Sequence, residues 1–164
     1  MRLIHFAICD DRLIHGQILR RWMKSLNFKK LIVVDDETAE DIIEKRLLAL
    51  SAPTDIQIQI VSCKEFLQLE EESGVNVFVV LKGLKTVAWL LDKDVRIETL
   101  NIGRIPAGVG RVKLEKAMCL NQEDLSILQL LVDKETEVFV QTVPDDEKIW
   151  VKERLVVYEK ELRI

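Results

Sequence analysis

The chain has 164 residues, 48% of them hydrophobic and 32% charged, with 24 Lys and Arg against 28 Asp and Glu. A chain of this length buries about 70% of its unfolded surface within one domain, so this composition excludes intrinsic disorder and supports a packed core. The net charge of −4 argues against binding a polyanion by bulk charge, and nucleic acid is not an expected partner.

Short runs rich in Val and Ile alternate with stretches of helical periodicity, the signature of successive βα units. Strands are predicted at Ile4 to Cys9, Leu31 to Asp35, Ile56 to Ser62, Val75 to Leu81, Ile97 to Ile102, Ala117 to Leu120 and Val138 to Val143. Helices are predicted at about Gly16 to Ser25, Ala39 to Leu50, Lys64 to Glu72, Thr86 to Asp92, Glu123 to Asp133 and Glu147 to Leu162. The expected fold is a single α/β domain over residues 1–164, with a mostly parallel seven-stranded open sheet flanked by helices on both faces.

The first strand opens within MRLIHFAICDDR, where charge arrives too early for a signal peptide, and no stretch approaches the roughly 18 apolar residues of a membrane span. The expectation is a soluble, cytoplasmic chain. Within that strand His5 shares the side-chain direction of Ala7 and Cys9 and is expected to be packed or at an edge. Only His15 clearly leaves the strand, so a metal site of His5, Cys9 and His15 is not expected.

LIVVD and VNVFVVL are near-continuously apolar, which places the second and fourth strands inside the sheet, whereas IQIQIVS alternates as an edge strand does. The second helix, AEDIIEKRLLAL, carries Ile42, Ile43, Leu47 and Leu50 on one stripe and is expected to cover the sheet with it. After the fifth strand, Gly103 to Gly110 (GRIPAGVG) is irregular. Loops at the carboxyl ends of parallel strands carry ligands, so this one is either a site wall or a plain surface connection. Trp150, Leu155, Val156 and Tyr158 in the last helix are expected to pack on the sheet, with contact to a second copy, a homodimer, as the alternative. The three cysteines, Cys9, Cys63 and Cys119, are far apart, show no CxxC spacing and read as reduced thiols.

The chemistry concentrates where the first strand meets the first helix. Cys9-Asp10-Asp11-Arg12-Leu13-Ile14-His15-Gly16-Gln17 sets two carboxylates, a guanidinium and an imidazole beside a helix N-terminus, whose free N–H groups attract anions. These groups suit phosphate: an imidazole nitrogen can accept a phosphoryl group and an Arg can clamp its oxygens. The residues alone leave plainer readings open. His15 can be a structural hydrogen-bonder, Asp10 and Asp11 a turn and an N-cap, and Arg12 an ion pair to either. Likewise Arg20, Arg21 and Lys24 form either a basic docking patch or only the wet face of the helix. A nucleotide-binding domain is disfavoured because neither GxGxxG nor GxxxxGK[ST] follows the strand.

The stretch ICDDRLIHGQILRRWMKSLNFKKLIVVDDETAED resembles the opening of the IIB component of the mannose and sorbose family of the bacterial phosphoenolpyruvate-dependent sugar phosphotransferase system (PTS). The motif DDRLIHGQ is intact from Asp10 to Gln17, the Trp of the first helix is Trp22, and Val33-Val34-Asp35-Asp36-Glu37 follows. The likeness continues at Asn101-Ile102-Gly103 and Cys119-Leu120-Asn121-Gln122-Glu123-Asp124. It implies a sugar phosphotransferase in which His15, through Nδ1, takes a phosphoryl group from a phosphohistidine of a IIA protein. His15 then passes it to sugar at the IIC/IID membrane permease. It implies that Arg12 stabilises the phosphate, that Asp10, Asp11, Gly16 and Gln17 shape the loop, and that no metal or cofactor takes part.

Two departures stand out. Ile8 replaces an arginine common in the family, and Arg104 replaces a glycine. Arg104 either supplies a compensating cation to the same pocket or is simply solvated. If it does not, a regulatory or degenerate IIB-like binding module that passes no phosphoryl group to sugar is the alternative.

Overall fold

The computed structural model describes residues 2–71 and 76–163. Its strands are β1 (Arg2–Asp10), β2 (Lys30–Val34), β3 (Gln57–Val61), β4 (Val77–Leu81), β5 (Val95–Arg104), β6 (Val112–Glu115), β7 (Met118–Leu120), β8 (Glu137–Val140) and β9 (Ile149–Trp150). Its helices are α1 (Gly16–Leu26), α2 (Asp36–Glu40), α3 (Ile42–Ser51), α4 (Cys63–Gln68), α5 (Leu84–Asp92), α6 (Gln122–Asp133) and α7 (Val151–Leu162).

The main sheet has seven strands in the order β3-β2-β4-β1-β5-β8-β9. All pairings are parallel except β8 with β9. As the patterns predict, β2 and β4 are interior and the alternating β3 is an edge. A larger apolar core lies on one face, where α4, α5, α6 and α7 pack. A smaller one lies on the other face, built from Ile8, Leu13, Ile14, Leu19, Trp22, Phe28 and strand residues, with Phe28 and Phe78 stacked at 4.4 Å.

Three expectations are corrected. Met118–Leu120 is a strand, but it pairs antiparallel with β6 in a separate two-stranded sheet. The seventh strand of the main sheet is instead β9, which the helical periodicity of the tail had absorbed; two residues are too few to show a period of their own. The predicted helix Ala39 to Leu50 is two helices, because Asp41 breaks out of helical geometry (φ −91°, ψ 102°) and caps α3, accepting from the N–H groups of Ile43 and Glu44 at 3.0 Å each. Carboxylates favour that capping position over a helix interior. The stripe of Ile42, Ile43, Leu47 and Leu50 does not cover the sheet: all four are exposed, and only Leu48 and Ala52 lean on the smaller core.

His5 is likewise neither packed nor at an edge. β1 is central, and the ring is exposed, its Nδ1 2.7 Å from Glu98 Oε2. The predicted ends Glu72 and Val75 lie outside the described residues. The C-terminal helix does pack on the fold. Tyr158 is buried and its hydroxyl donates to Glu115 Oε1 at 2.7 Å, while Trp150 meets Phe139 edge to face at 5.4 Å. Val156 faces outward.

Candidate functional site

The site begins where β1 ends. The register between β1 and β5 shifts at Cys9/Asp10 and brings Asp10 opposite Arg104. The chain then turns tightly: Leu13 N–H donates to the Asp10 carbonyl at 3.1 Å, and Leu13 takes a left-handed backbone at φ +59°. A branched residue rarely occupies that region, at a cost of about 1–3 kcal/mol. The side chains of Leu13 and Ile14 anchor the turn by burial in the smaller core. Just before these anchors Arg12 is half-buried, and after them His15 and Gln17 face solvent.

Asp10 is buried and organises the loop. Its Oδ1 accepts from the Arg12 backbone N–H at 3.0 Å and from Arg12 Nε at 2.9 Å, and its Oδ2 accepts from Nη2 at 2.7 Å. One carboxylate thus fixes both the turn and the guanidinium plane. These hydrogen bonds raise the Arg12 pKa further above its ordinary value, with burial opposing, so Arg12 is a permanent cation here. Across the loop, Arg104 Nε stands 3.2 Å from Asp11 Oδ1. This is a charge contact and not a hydrogen bond, since that oxygen is buried with no hydrogen-bond partner among the described residues.

His15 is the last extended residue before α1, at φ −116° and ψ 103°, and its side chain makes no capping bond. The first turn of α1 contains no acidic residue, so the positive end of the helix is unopposed from within. Gly16 sits under α3: a Cβ on it would meet the Ser51 carbonyl oxygen at 3.3 Å. Arg20, Arg21 and Lys24 lie along the exposed side of α1.

The irregular loop after β5 is held from behind. Arg111 donates through Nε to Asp124 Oδ2 at 3.0 Å and through Nη1 to the Pro106 carbonyl at 3.3 Å. Asp124 also closes a capping box with Asn121 at the start of α6. Sequence reasoning missed Arg111 and Asp124 as supports, although Asn121-x-x-Asp124 before an apolar run is a capping signal. Asp35 and Asp36 have structural work. Asp35 caps α2 through Thr38, and Asp36 accepts the Cys63 N–H at 2.8 Å.

The structure therefore places two acid–base pairs beside the loop that leads to His15 and Gly16: Asp10 hydrogen-bonded to Arg12 within the loop, and Asp11 in charge contact with Arg104 at the end of β5. Arg12 is the ion pair that the plainer reading allowed, and the pair holds it within this loop. Ile8 lies outside the polar group, buried in the smaller core against Gly103.

The family model described as "PTS system sorbose subfamily IIB component" matches residues 4–163. The chain belongs to this family. Among IIB relatives, the mannose-specific EIIAB component of Escherichia coli K12 is 29% identical over 150 residues, covering 90% of this chain and 46% of that protein. The chain thus spans about half the length of this relative. The fructose-specific EIIB component of Bacillus subtilis is 29% identical over 149 residues, covering 89% of this chain and 91% of the relative. Among solved IIB structures, the IIBSor domain of the sorbose permease from Klebsiella pneumoniae superposes with a TM-score of 0.86 at 26% identity, covering 96% of this chain and 98% of that one. A N-acetyl-galactosamine IIB component from Streptococcus pyogenes gives 0.82 at 26% identity, covering 93% and 97%.

Proposed function

We propose that this IIB chain is a cytoplasmic phosphoryl carrier with His15 as the acceptor. The observation that supports this most directly is the position of His15: exposed at the entrance of α1, on a loop whose Asp10 and Asp11 hold two guanidinium groups. The imidazole nitrogen lone pair attacks the phosphorus of a phosphohistidine on a IIA protein. A nitrogen–phosphorus bond forms to His15 as the one to the donor breaks, and the donor imidazole leaves with its electron pair. In the second step a sugar hydroxyl at the IIC/IID permease attacks the same phosphorus. The bond to His15 breaks, the sugar oxygen–phosphorus bond forms, and the hydroxyl proton is released.

Arg12, the N–H groups of the first turn of α1 and Arg104 offset the charge spread over the three equatorial phosphoryl oxygens. Asp10 keeps Arg12 pre-oriented, and the loose contact of Arg104 with Asp11 leaves its donors able to turn to an incoming anion. Gly16 and Gln17 line the same entrance. Both nitrogen–phosphorus bonds of the first step are alike in energy, so positioning and charge suffice. No described helix is long and apolar enough to cross a membrane, and the carrier works at the permease's cytoplasmic face.

Sugar phosphate formation tests this reading. Permease-bearing membranes supplied with phosphoenolpyruvate, the general PTS proteins, a IIA protein and a panel of mannose, fructose, sorbose and N-acetylgalactosamine should yield sugar phosphate with the native chain and none with His15→Ala. Phosphorylation of His15 without sugar phosphate on any permease would favour the regulatory module, the reading that Ile8 raises.

A further inference from the structure

Helix α3 is an amphipathic element that the fold leaves uncovered. Ile42, Ile43, Leu47 and Leu50 are 68%, 73%, 60% and 82% exposed, and no residue of α3 is buried. Ten isolated residues form a marginal helix in water, and helices of this length gain most of their stability from a packed apolar face. The stripe runs toward the phosphorylation loop, because the helix ends at Ser51, whose carbonyl abuts Gly16. Its other end is acidic. Asp36, Glu37, Glu40, Asp41 and Glu44 precede or begin α3, against Lys45, Arg46 and the Lys82 ammonium 3.7 Å from Glu37, and Glu37, Glu40, Asp41, Ile42 and Ile43 line a shallow, wide-open surface groove.

We propose that the α3 stripe is the docking surface for the membrane permease, taking an apolar segment of a basic cytoplasmic loop. Charge selects this occupant. Cytoplasmic loops of membrane proteins carry an excess of Lys and Arg, which complements the carboxylates around the groove, whereas an anionic lipid surface is repelled by them. The basic side of α1, with Arg20, Arg21 and Lys24, is left for the IIA donor, so the two partners approach His15 from different sides. Four aliphatic side chains on one short helix offer less than the roughly 800 Å² per partner of a stable dimer. A small contact suits a carrier that must leave the permease after each turnover. The proposal rests on the carrier reading above and adds to it a surface and a partner.

The test uses vesicles of phosphatidylethanolamine and phosphatidylglycerol reconstituted with or without the IIC/IID permease, and the full chain as native, Ile43→Ser/Leu47→Ser and Glu40→Lys. Sedimentation with permease vesicles should fall about tenfold in the double variant, as loss of central apolar anchors does, and should fall further with salt for the native chain than for Glu40→Lys. Melting temperature should stay within a few degrees of native, and the rate of phosphoryl acceptance from IIA within twofold. Unchanged sedimentation, equal binding to vesicles without permease, or loss of acceptance from IIA in place of permease binding would each overturn the assignment. Binding of unphosphorylated chain needs no phosphoryl transfer. A native chain that binds permease vesicles through α3 but never accepts phosphate therefore marks failure of the carrier reading and not of this surface.

Discussion

Gly103 and Asp10 face each other so closely that no side chain fits between them: a Cβ on Gly103 would lie 2.8 Å from Asp10 Oδ2 and 2.9 Å from Ile8 Cδ1. Oδ2 is the oxygen that receives Arg12 Nη2, so the bare backbone of β5 is part of what orients the guanidinium. Gly103→Ala should displace Asp10, loosen Arg12 and slow phosphoryl acceptance by about tenfold or more, with an overpacking cost of about 1–3 kcal/mol. Rapid-quench phosphorylation and thermal melting check both parts; an acceptance rate equal to native would show that the Asp10 geometry does not matter.

Arg12 and Arg104 should make separable contributions. A charge-assisted contact is worth about 1.5–3 kcal/mol, or one to two decades in rate. Arg12→Ala and Arg104→Ala should each slow acceptance on this scale, and Arg12→Lys should not restore it, since a single ammonium cannot replace the two-point bond to Asp10. Single-turnover rates with saturating phospho-IIA decide this, and a native rate in Arg104→Ala would remove Arg104 from the pocket.

Asp124→Ala should destabilise the protein by about 2–4 kcal/mol, because it removes the α6 capping box and leaves Arg111 without its carboxylate partner. The loop that Arg111 ties through Pro106 should then become sensitive to protease between residues 105 and 111, more so than the rise elsewhere that the loss of global stability brings.

Much of this framework is legible in sequence, and the failures have physical causes. The apolar runs of β2 and β4 and the alternation of β3 locate themselves because burial dictates side-chain type. The motif from Asp10 to Gln17 is visible as a cluster of charge at a strand end. The two-residue β9 is too short for any pattern, and in Val112–Glu115 only Leu114 is buried while Lys113 and Glu115 carry charges that mask the pairing. The stripe of α3 misleads because amphipathicity reports that a helix has an apolar face but not whether the same chain covers it. The left-handed backbone of Leu13 gives no sign at all in the sequence, since that conformation ordinarily belongs to Gly or Asn.

The capping box of α4 gives a pH dependence. Glu65 Oε2 accepts the Ser62 N–H at 2.7 Å, and this bond holds its carboxyl below the usual range. A lowered folded pKa contributes stability that is present above the unfolded value of about 4.3 and is lost as pH falls through the folded one. Glu65→Gln should therefore melt below native at pH 7 and converge with it in acid. A gap that widens on acidification would contradict the sign.

The cysteines should differ in reactivity. Burial pushes the Cys63 thiol up to about 12 and raises Cys9 as well, with Asp36 and Asp10 adding to the respective shifts. The thiolate is the reactive form, so neutral-pH alkylation should mark the half-exposed Cys119 first and reach Cys9 and Cys63 only on unfolding. Peptide mapping after timed iodoacetamide treatment reads the order directly.

The proposed role of His15 as the phosphoryl acceptor is read most directly by mass. Native chain and His15→Ala are incubated with phosphoenolpyruvate, enzyme I, HPr and a IIA protein proven competent on another IIB component, and their intact masses are compared. One acid-labile phosphoryl group on the native chain and none on the variant is the expected result. An unmodified native chain, or a variant that still gains the group, would contradict it.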